Sequence, residues 1–235
     1  MEKIMRDLLI VSSHFNEDLS WLVNQDKYDY MVYSKKPQEA LDQGVHYRKL
    51  EFVPNRGQDH SSYYKFILDN YDMLPDYIAF CHGHNHSWHM DKTIIEAIDS
   101  YDGSDYFNLN NSYFRNIFHD DGCGDESHKK QWENIKFICK KIELDIPKYL
   151  EHSMCCQFVT KRECILRHPC SFYNTCYAYM MEQADMDNIR ASLVFEQLWY
   201  FILTGKSVEP ALVVPNIIDE RGWRRDDLRE KFGVA

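Results

Sequence analysis

No apolar run in this 235-residue chain approaches the roughly 20 residues that a membrane-spanning helix needs. The longest, such as Asp7–Val11 and Leu193–Leu203, are short or carry charge. The N-terminus has no long apolar segment of the kind a secretory leader carries, so a soluble, cytoplasmic protein is the expectation. An excess of basic residues is missing as well. Against 37 Asp and Glu stand 27 Lys and Arg, a formal charge of −10, which opposes attraction to phosphate backbones and argues against a nucleic-acid partner. Small anions need only a local pocket and stay open. The eight cysteines form no Cys-x-x-Cys pair and read as buried or idle thiols. Repeats, low-complexity tracts and clear linkers are also absent, so one domain over residues 1–235 is expected.

What the chain has in quantity is aromatic surface: 5 Trp, 16 Tyr and 13 Phe, enough for a heavy core or a ring-lined ligand cleft, with composition alone favouring the core. The run Asp7-Leu-Leu-Ile-Val-Ser-Ser13 predicts a strand buried on both faces, followed by a helix over Asn16–Val23 with an acidic first turn. Alternation predicts further strands at Tyr28–Tyr33 and Tyr47–Val53, and Pro75–Cys81 reads as a fourth, buried strand. Helices are expected at Asp59–Tyr71, Asp91–Tyr101, Trp132–Lys141, Ser171–Met181 and Ile189–Leu203, and short strands at Tyr106–Leu109 and Gln157–Thr160. The stretch Asn116–Glu126, with Gly-Cys-Gly and four acidic residues, reads as a mobile loop. Strands alternating with helices indicate an α/β sandwich with a mainly parallel sheet, whose ligands sit beyond the carboxyl ends of the strands. The chemistry is therefore expected in the loops after Ser13, Tyr33, Val53 and Cys81.

The first loop, Ser12-Ser-His-Phe-Asn-Glu-Asp18, offers polar groups at a helix N-terminus, suited either to an anion or to simple capping. The third, Pro54-Asn-Arg-Gly-Gln-Asp-His60, combines a glycine able to take φ > 0 with a guanidinium for phosphate. Most unusual is Cys81-His-Gly-His-Asn-His-Ser-Trp-His89. If the strand stays extended, His82, His84 and His86 share one side, and clustered neutral imidazoles suit a transition metal. Glu196 lies among large apolar residues in Phe195-Glu-Gln-Leu-Trp-Tyr-Phe-Ile202, where desolvation would raise its pKa toward the range of a general base. Arg221, Arg224 and Arg225 could close over an anion, although a solvated charged face is the simpler reading.

Three groups of segments together resemble the family known as domain of unknown function 3431. They are Val11-Ser-Ser-His-Phe-Asn-Glu-Asp-Leu-Ser-Trp-Leu22, Leu74-Pro-Asp-Tyr-Ile-Ala-Phe-Cys-His-Gly-His-Asn-His-Ser-Trp-His89, and Gln157-Phe-Val with Ile165–Tyr173 and Phe195–Trp199. The likeness runs from about Leu8 to Leu203 and carries no activity with it. More distantly, the order of segments is similar to that of nucleotide-sugar glycosyltransferases of GT-A fold, a Rossmann-like α/β/α sandwich with a central, mainly parallel mixed sheet. That resemblance implies transfer of a sugar from a nucleotide-diphosphate donor to a hydroxyl of a glycan acceptor. His82-Gly83-His84 stands where that family reads Asp-x-Asp.

Carried over residue by residue, the resemblance implies donor contacts at Ser12, His14, Asn16, Ser34, Lys35, Asn55, Arg56, Gly57, His60, His82, Gly83 and His84. Acceptor contacts fall at His86, Trp88, His89, Gln157 and Trp199, and Glu196 is the general base, with Gln197 where a second carboxylate would stand. Imidazole in place of carboxylate makes His82 and His84 ligands for Mn²⁺ first or for Zn²⁺, or leaves transfer metal-independent, since Mg²⁺ prefers oxygen. Two competing readings are a metal-dependent hydrolase using His82, His84, His86 and His89, and a carbohydrate-binding protein with a degenerate GT-A fold.

Overall fold

The computed structural model describes residues 7–110, 115–120, 126–183, 185–210, 230 and 233. Strand β1 (Leu8–His14) is flanked in parallel by β2 (Asp29–Ser34) on one side and β4 (Tyr77–His82) on the other. This explains the continuous apolar run that predicts it: both faces of a central parallel strand are covered. β3 (Leu50–Phe52) extends the parallel block outside β2. Beyond β4 lies antiparallel β8 (Phe158–Lys161) and then β5 (Tyr106–Asn108), giving the order β3-β2-β1-β4-β8-β5.

Alternate residues of β1 serve two separate cores. Leu8 and Ile10 join Leu19, Leu22, Ala40, Ile94 and Ile98, while Val11 joins the larger cluster that includes Phe66, Phe80, Phe158 and Trp199. The first core is covered by α1 (Ser20–Val23), α2 (Pro37–Asp42) and α4 (Ile94–Asp99). The second is covered by α3 (Gln58–Asn70), α5 (Glu126–Lys141), α7 (Cys170–Glu182) and α8 (Asp185–Thr204), with the short α6 (Arg162–Ile165) at its edge. Most of the aromatic surplus goes here: Tyr64 stacks on Trp199 at 4.5 Å between centroids, and Tyr63 meets Phe80 at 4.9 Å. The result is a mixed α/β fold with a six-stranded, mostly parallel central sheet. No helix among the described residues is long and apolar enough to cross a membrane.

Several expected elements change. The helix over Asn16–Val23 shrinks to Ser20–Val23, because Glu17 Oε2 accepts from the Phe15 and Asn16 N–H groups and Asp18 Oδ1 from Ser20 N–H. Such local side-chain bonds hold the backbone in turns rather than helix. The third strand loses Tyr47–Lys49 to a 3₁₀ turn capped by His46. A capping box of Thr93 and Glu96 starts α4 three residues later than expected, at Ile94. Part of the expected mobile loop is strand β6 (Arg115–His119), paired antiparallel with β7 (Tyr149–Ser153) in a second small sheet. Asp121–Asp125 lies outside the described residues.

Candidate functional site

After β1 the chain builds outward through β2 and β3, then returns to place β4 on the opposite side of β1. The crevice beyond the carboxyl ends of β1 and β4 is thus a topological switch point, where open α/β sheets bind ligands. Register sets its walls: Ser13 pairs with His82, and His14 with Ser34. His14 Nδ1 lies 2.8 Å from Ser34 Oγ, and both side chains are fully buried. Burial pushes the His14 ring down, against Glu17, and its Nε2 has no hydrogen-bond partner among the described residues. Lys35 Nζ donates to Ser13 Oγ at 3.0 Å and to Ser62 Oγ at 2.7 Å. Burial pushes this ammonium down to about 8, with Asp59 and Glu17 opposing the shift.

Asp59 reaches the crevice through an unusual entry into α3. Gly57 (φ +67°) and Gln58 (φ +48°) are both left-handed, and Gln58 Oε1 accepts from Ser192 Oγ, fixing the turn. A side chain at Gly57 would also strike Met180 Sδ at 2.7 Å. Asp59 Oδ2 lies 3.4 Å from His82 Nε2. Burial would raise this carboxyl, but His82, Lys35 and a Ser13 hydrogen bond outweigh it and hold Asp59 below its usual range.

Strand β4 ends at His82, so the extended spacing that would align His82, His84 and His86 does not continue. His86 is exposed, and the third ring is His89. Centroids of His82, His84 and His89 are 5.1, 5.5 and 5.8 Å apart, and one ligand nitrogen from each lies within 4.8 Å of the others. Gly83 makes the turn possible by close approach: a β-carbon there would stand 2.8 Å from Glu17 Oε2 and 3.0 Å from the Ser13 carbonyl. Trp21 Nε1 donates to the Gly83 carbonyl at 2.7 Å, and Ser12 Oγ donates to the His82 carbonyl at 3.4 Å.

A directional network lies beneath the imidazoles. The His82 N–H donates to Gln157 Oε1 at 2.9 Å, so the other end of that carboxamide is the donor, and it reaches Asn110 Oδ1 at 2.9 Å. Asn110 Nδ2 in turn donates to backbone carbonyls, including that of Cys155, which confirms Oδ1 as the acceptor end. His89 Nδ1, 2.8 Å from Asn110 Oδ1, must therefore carry the proton, leaving Nε2 with its lone pair. Burial, with His82 and His89 beside it, pushes His84 down to about 4, so that ring is neutral at pH 7. Its Nε2 is buried with no hydrogen-bond partner among the described residues.

Glu196, on α8, accepts the Cys155 N–H at 2.8 Å, and Cys155 itself is left-handed (φ +64°). Burial raises the Glu196 carboxyl; the Cys155 N–H and nearby His82 pull the other way, and Asp59 adds to the rise. One crevice thus gathers three imidazoles, the Lys35 ammonium and the carboxylates of Asp59 and Glu17, with Glu196 close enough to sense His82 and Asp59.

Other expected site residues stand elsewhere. Trp199 and His60 are core residues: Trp199 is fully buried, and its Nε1 donates to His60 Nδ1 at 2.9 Å, so neither offers a face to acceptor or donor. Gln157 is fully buried and engaged at both ends of its carboxamide, which makes it a support for His82 and His89 rather than an acceptor contact. Ser12, also fully buried, is bonded to the His82 carbonyl and acts as a support in the same way. Arg56 turns to the Gln183 carbonyl beyond α7, while Asn16, Asn55 and Trp88 are exposed. A four-residue α1 gives little dipole for an anion. Arg221, Arg224 and Arg225 lie outside the described residues. Asp59, Trp21 and Asn110 are not named as site residues from the sequence, and Glu17 figures there only within the first loop, as cap or anion contact. Asp59 had a local signal, an acid just after Asn-Arg-Gly at a helix start, whereas Asn110 has none.

The donor set is nitrogen-rich. Three imidazoles fit a borderline transition ion and do not fit Mg²⁺, which prefers oxygen in octahedral geometry.

The chain matches the family described as Protein of unknown function (DUF3431) over residues 9–212, and it belongs to that family. Neither a curated protein nor a solved structure matches it.

Proposed function

We propose that this DUF3431 member is a glycosyltransferase of GT-A type, moving a sugar from a nucleotide-diphosphate donor to a hydroxyl of a glycan acceptor. The observation that carries the reading is a carboxylate of raised pKa, Glu196, held by the Cys155 N–H within electrostatic reach of the imidazole crevice at the β1/β4 switch point. In this scheme the donor diphosphate lies against Lys35 and the His82-Gly83-His84 turn. The acceptor approaches past His86, Trp88 and His89. Glu196 takes the proton of the acceptor hydroxyl as that oxygen bonds to the anomeric carbon. The bond from that carbon to phosphate oxygen breaks, its electron pair leaves with the nucleoside diphosphate, and a single displacement inverts the centre.

Hydrolysis assisted by a metal is the second reading, favoured by the convergence of three imidazoles where the transferase resemblance would have carboxylates. A thermal-shift panel of UDP, GDP, dTDP and CMP with their sugars, each with Mn²⁺, Mg²⁺ or EDTA, separates the two, because a ligand at 100 times its Kd stabilises by about 2.7 kcal/mol. Selective stabilisation by one nucleotide, lost in His84→Ala and accompanied by donor turnover, is the expected result. Stabilisation without turnover would leave a carbohydrate-binding protein. A shift with Zn²⁺ alone, together with cleavage of phosphoester or lactam substrates, would establish the hydrolase.

A further inference from the structure

We propose that His82, His84 and His89 bind one late first-row divalent cation, with Zn²⁺ ahead of Mn²⁺ and Mg²⁺ rejected, and that Asn110 and Gln157 set the ligand face of His89. The site lies in the crevice of the proposed transferase but does not depend on that reading.

Four observations carry it. First, the three rings converge from a strand end and the turn beyond it, with ligand nitrogens within 4.8 Å of one another. A tetrahedral ion with bonds of about 2.0–2.1 Å needs such nitrogens about 3.4 Å apart, a spacing inside that bound. Second, the polarity of the network is fixed from a backbone N–H outward: His82 N–H to Gln157, Gln157 to Asn110, and His89 Nδ1–H to the same Asn110 oxygen. Metal-binding histidines are oriented in this way, with one nitrogen donating to a carbonyl-type oxygen and the other left to the ion. Third, His84 Nε2 is a buried polar atom with no hydrogen-bond partner among the described residues, and a buried nitrogen of this kind calls for a partner that coordination would supply. Fourth, the turn that gathers the rings is clamped by Trp21 on the Gly83 carbonyl and by the contact of Gly83 with Glu17. Such clamping is unnecessary for a solvated histidine run. The donor atoms are all nitrogen, so affinity follows the order in which zinc exceeds manganese. His86, although in the same run, is exposed and takes no part.

The test uses the full chain stripped with chelator, dialysed, and titrated calorimetrically with Zn²⁺, Mn²⁺ and Mg²⁺. Bound metal is counted by mass spectrometry, and Co²⁺ is added as an optical probe. Expected are one equivalent of Zn²⁺, visible absorption from nitrogen-ligated Co²⁺, weaker binding of Mn²⁺ and none of Mg²⁺. Binding should be lost in His84→Ala and His89→Ala and kept in His86→Ala, and Asn110→Leu should weaken it about 10–100-fold. If the alanine variants fail to fold, His84→Gln and His89→Gln serve in their place. Absence of Zn²⁺ binding, binding unchanged by substitution of His84 and His89, or binding lost with His86 would overturn the proposal. None of these readouts involves sugar transfer. Zinc bound without any nucleotide affinity would remove the transferase and keep the site, and nucleotide affinity without metal would do the reverse.

Discussion

The indole Nε1 of Trp199 donates to Nδ1 of His60 across 2.9 Å, joining α8 to α3 inside the larger core. Burial pushes His60 down to about 3, so the ring is neutral and its Nδ1 is the acceptor that the indole requires. Trp199→Phe removes the donor and strands a buried acceptor, at a cost of about 1–3 kcal/mol on top of the smaller ring. Denaturant unfolding should show that loss, while acceptor KM stays unchanged. A raised acceptor KM at undiminished stability would return Trp199 to the binding surface.

Gly83 is required by proximity rather than by its backbone angles. Gly83→Ala places a methyl 2.9 Å from Glu17 Cβ and 3.0 Å from the Ser13 carbonyl, neither of which is a movable side-chain tip. Overpacking of this kind costs about 1–3 kcal/mol. The melting temperature should fall, and the turn carrying His84 should shift, with loss of whatever ligand the crevice holds. A variant as stable as wild type would show that Glu17 and the turn can part freely.

The raised pKa of Glu196 makes a signed statement about stability. A carboxyl whose folded pKa exceeds its unfolded value binds its proton more tightly in the native state, so ionisation destabilises the fold as pH rises from the ordinary glutamate range through the raised value. Glu196→Gln keeps an oxygen for the Cys155 N–H but removes the charge. It should therefore be more stable than wild type at pH 7, with the difference fading in acid as the wild-type group protonates. The same variant should lose turnover about 100-fold or more, the usual contribution of a positioned base. Chemical denaturation at pH 4 and pH 7 checks the first expectation and initial rates the second.

Lys35 supplies charge that depends on mildly alkaline pH. Its ammonium, pushed down to about 8 by burial, is protonated below that value and neutral above it. Affinity for a nucleoside diphosphate should accordingly weaken between about pH 7 and pH 9, and Lys35→Met should flatten that dependence at the weaker level. Calorimetry with the nucleotide selected in the thermal-shift panel measures both, and an unchanged slope in Lys35→Met would place the titrating group elsewhere.

Much of the scaffold was legible along the chain. The continuous burial of β1 and β4 and the helical spacing of α3, α7 and α8 are local properties of apolar patterning, and the switch-point argument then pointed to loops that the sheet order places around the β1/β4 crevice. Strand β7 and helix α2 were missed, since Tyr149-Leu-Glu-His-Ser153 carries polar residues that only pairing with β6 and burial beneath neighbouring chain make into a strand.

The histidine run was conspicuous in the sequence by residue type and place after a strand, Glu196 by its large apolar neighbours, and Lys35 only through the likeness to nucleotide-sugar transferases. Which histidines face one another could not be read there. Period-two alternation selects His86, but the strand stops at His82, and the turn enforced at Gly83 by Glu17 and Ser13 substitutes His89. Likewise His60 and Trp199, separated by 139 positions, become a core pair only when α3 meets α8, and Asn110 acquires its role only when the end of β5 comes to lie beside Gln157. Chemistry of single residues is set by the sequence. Convergence of residues is set by the packing of elements distant along the chain, because the contacts that turn one side chain toward another arise only in the assembled fold.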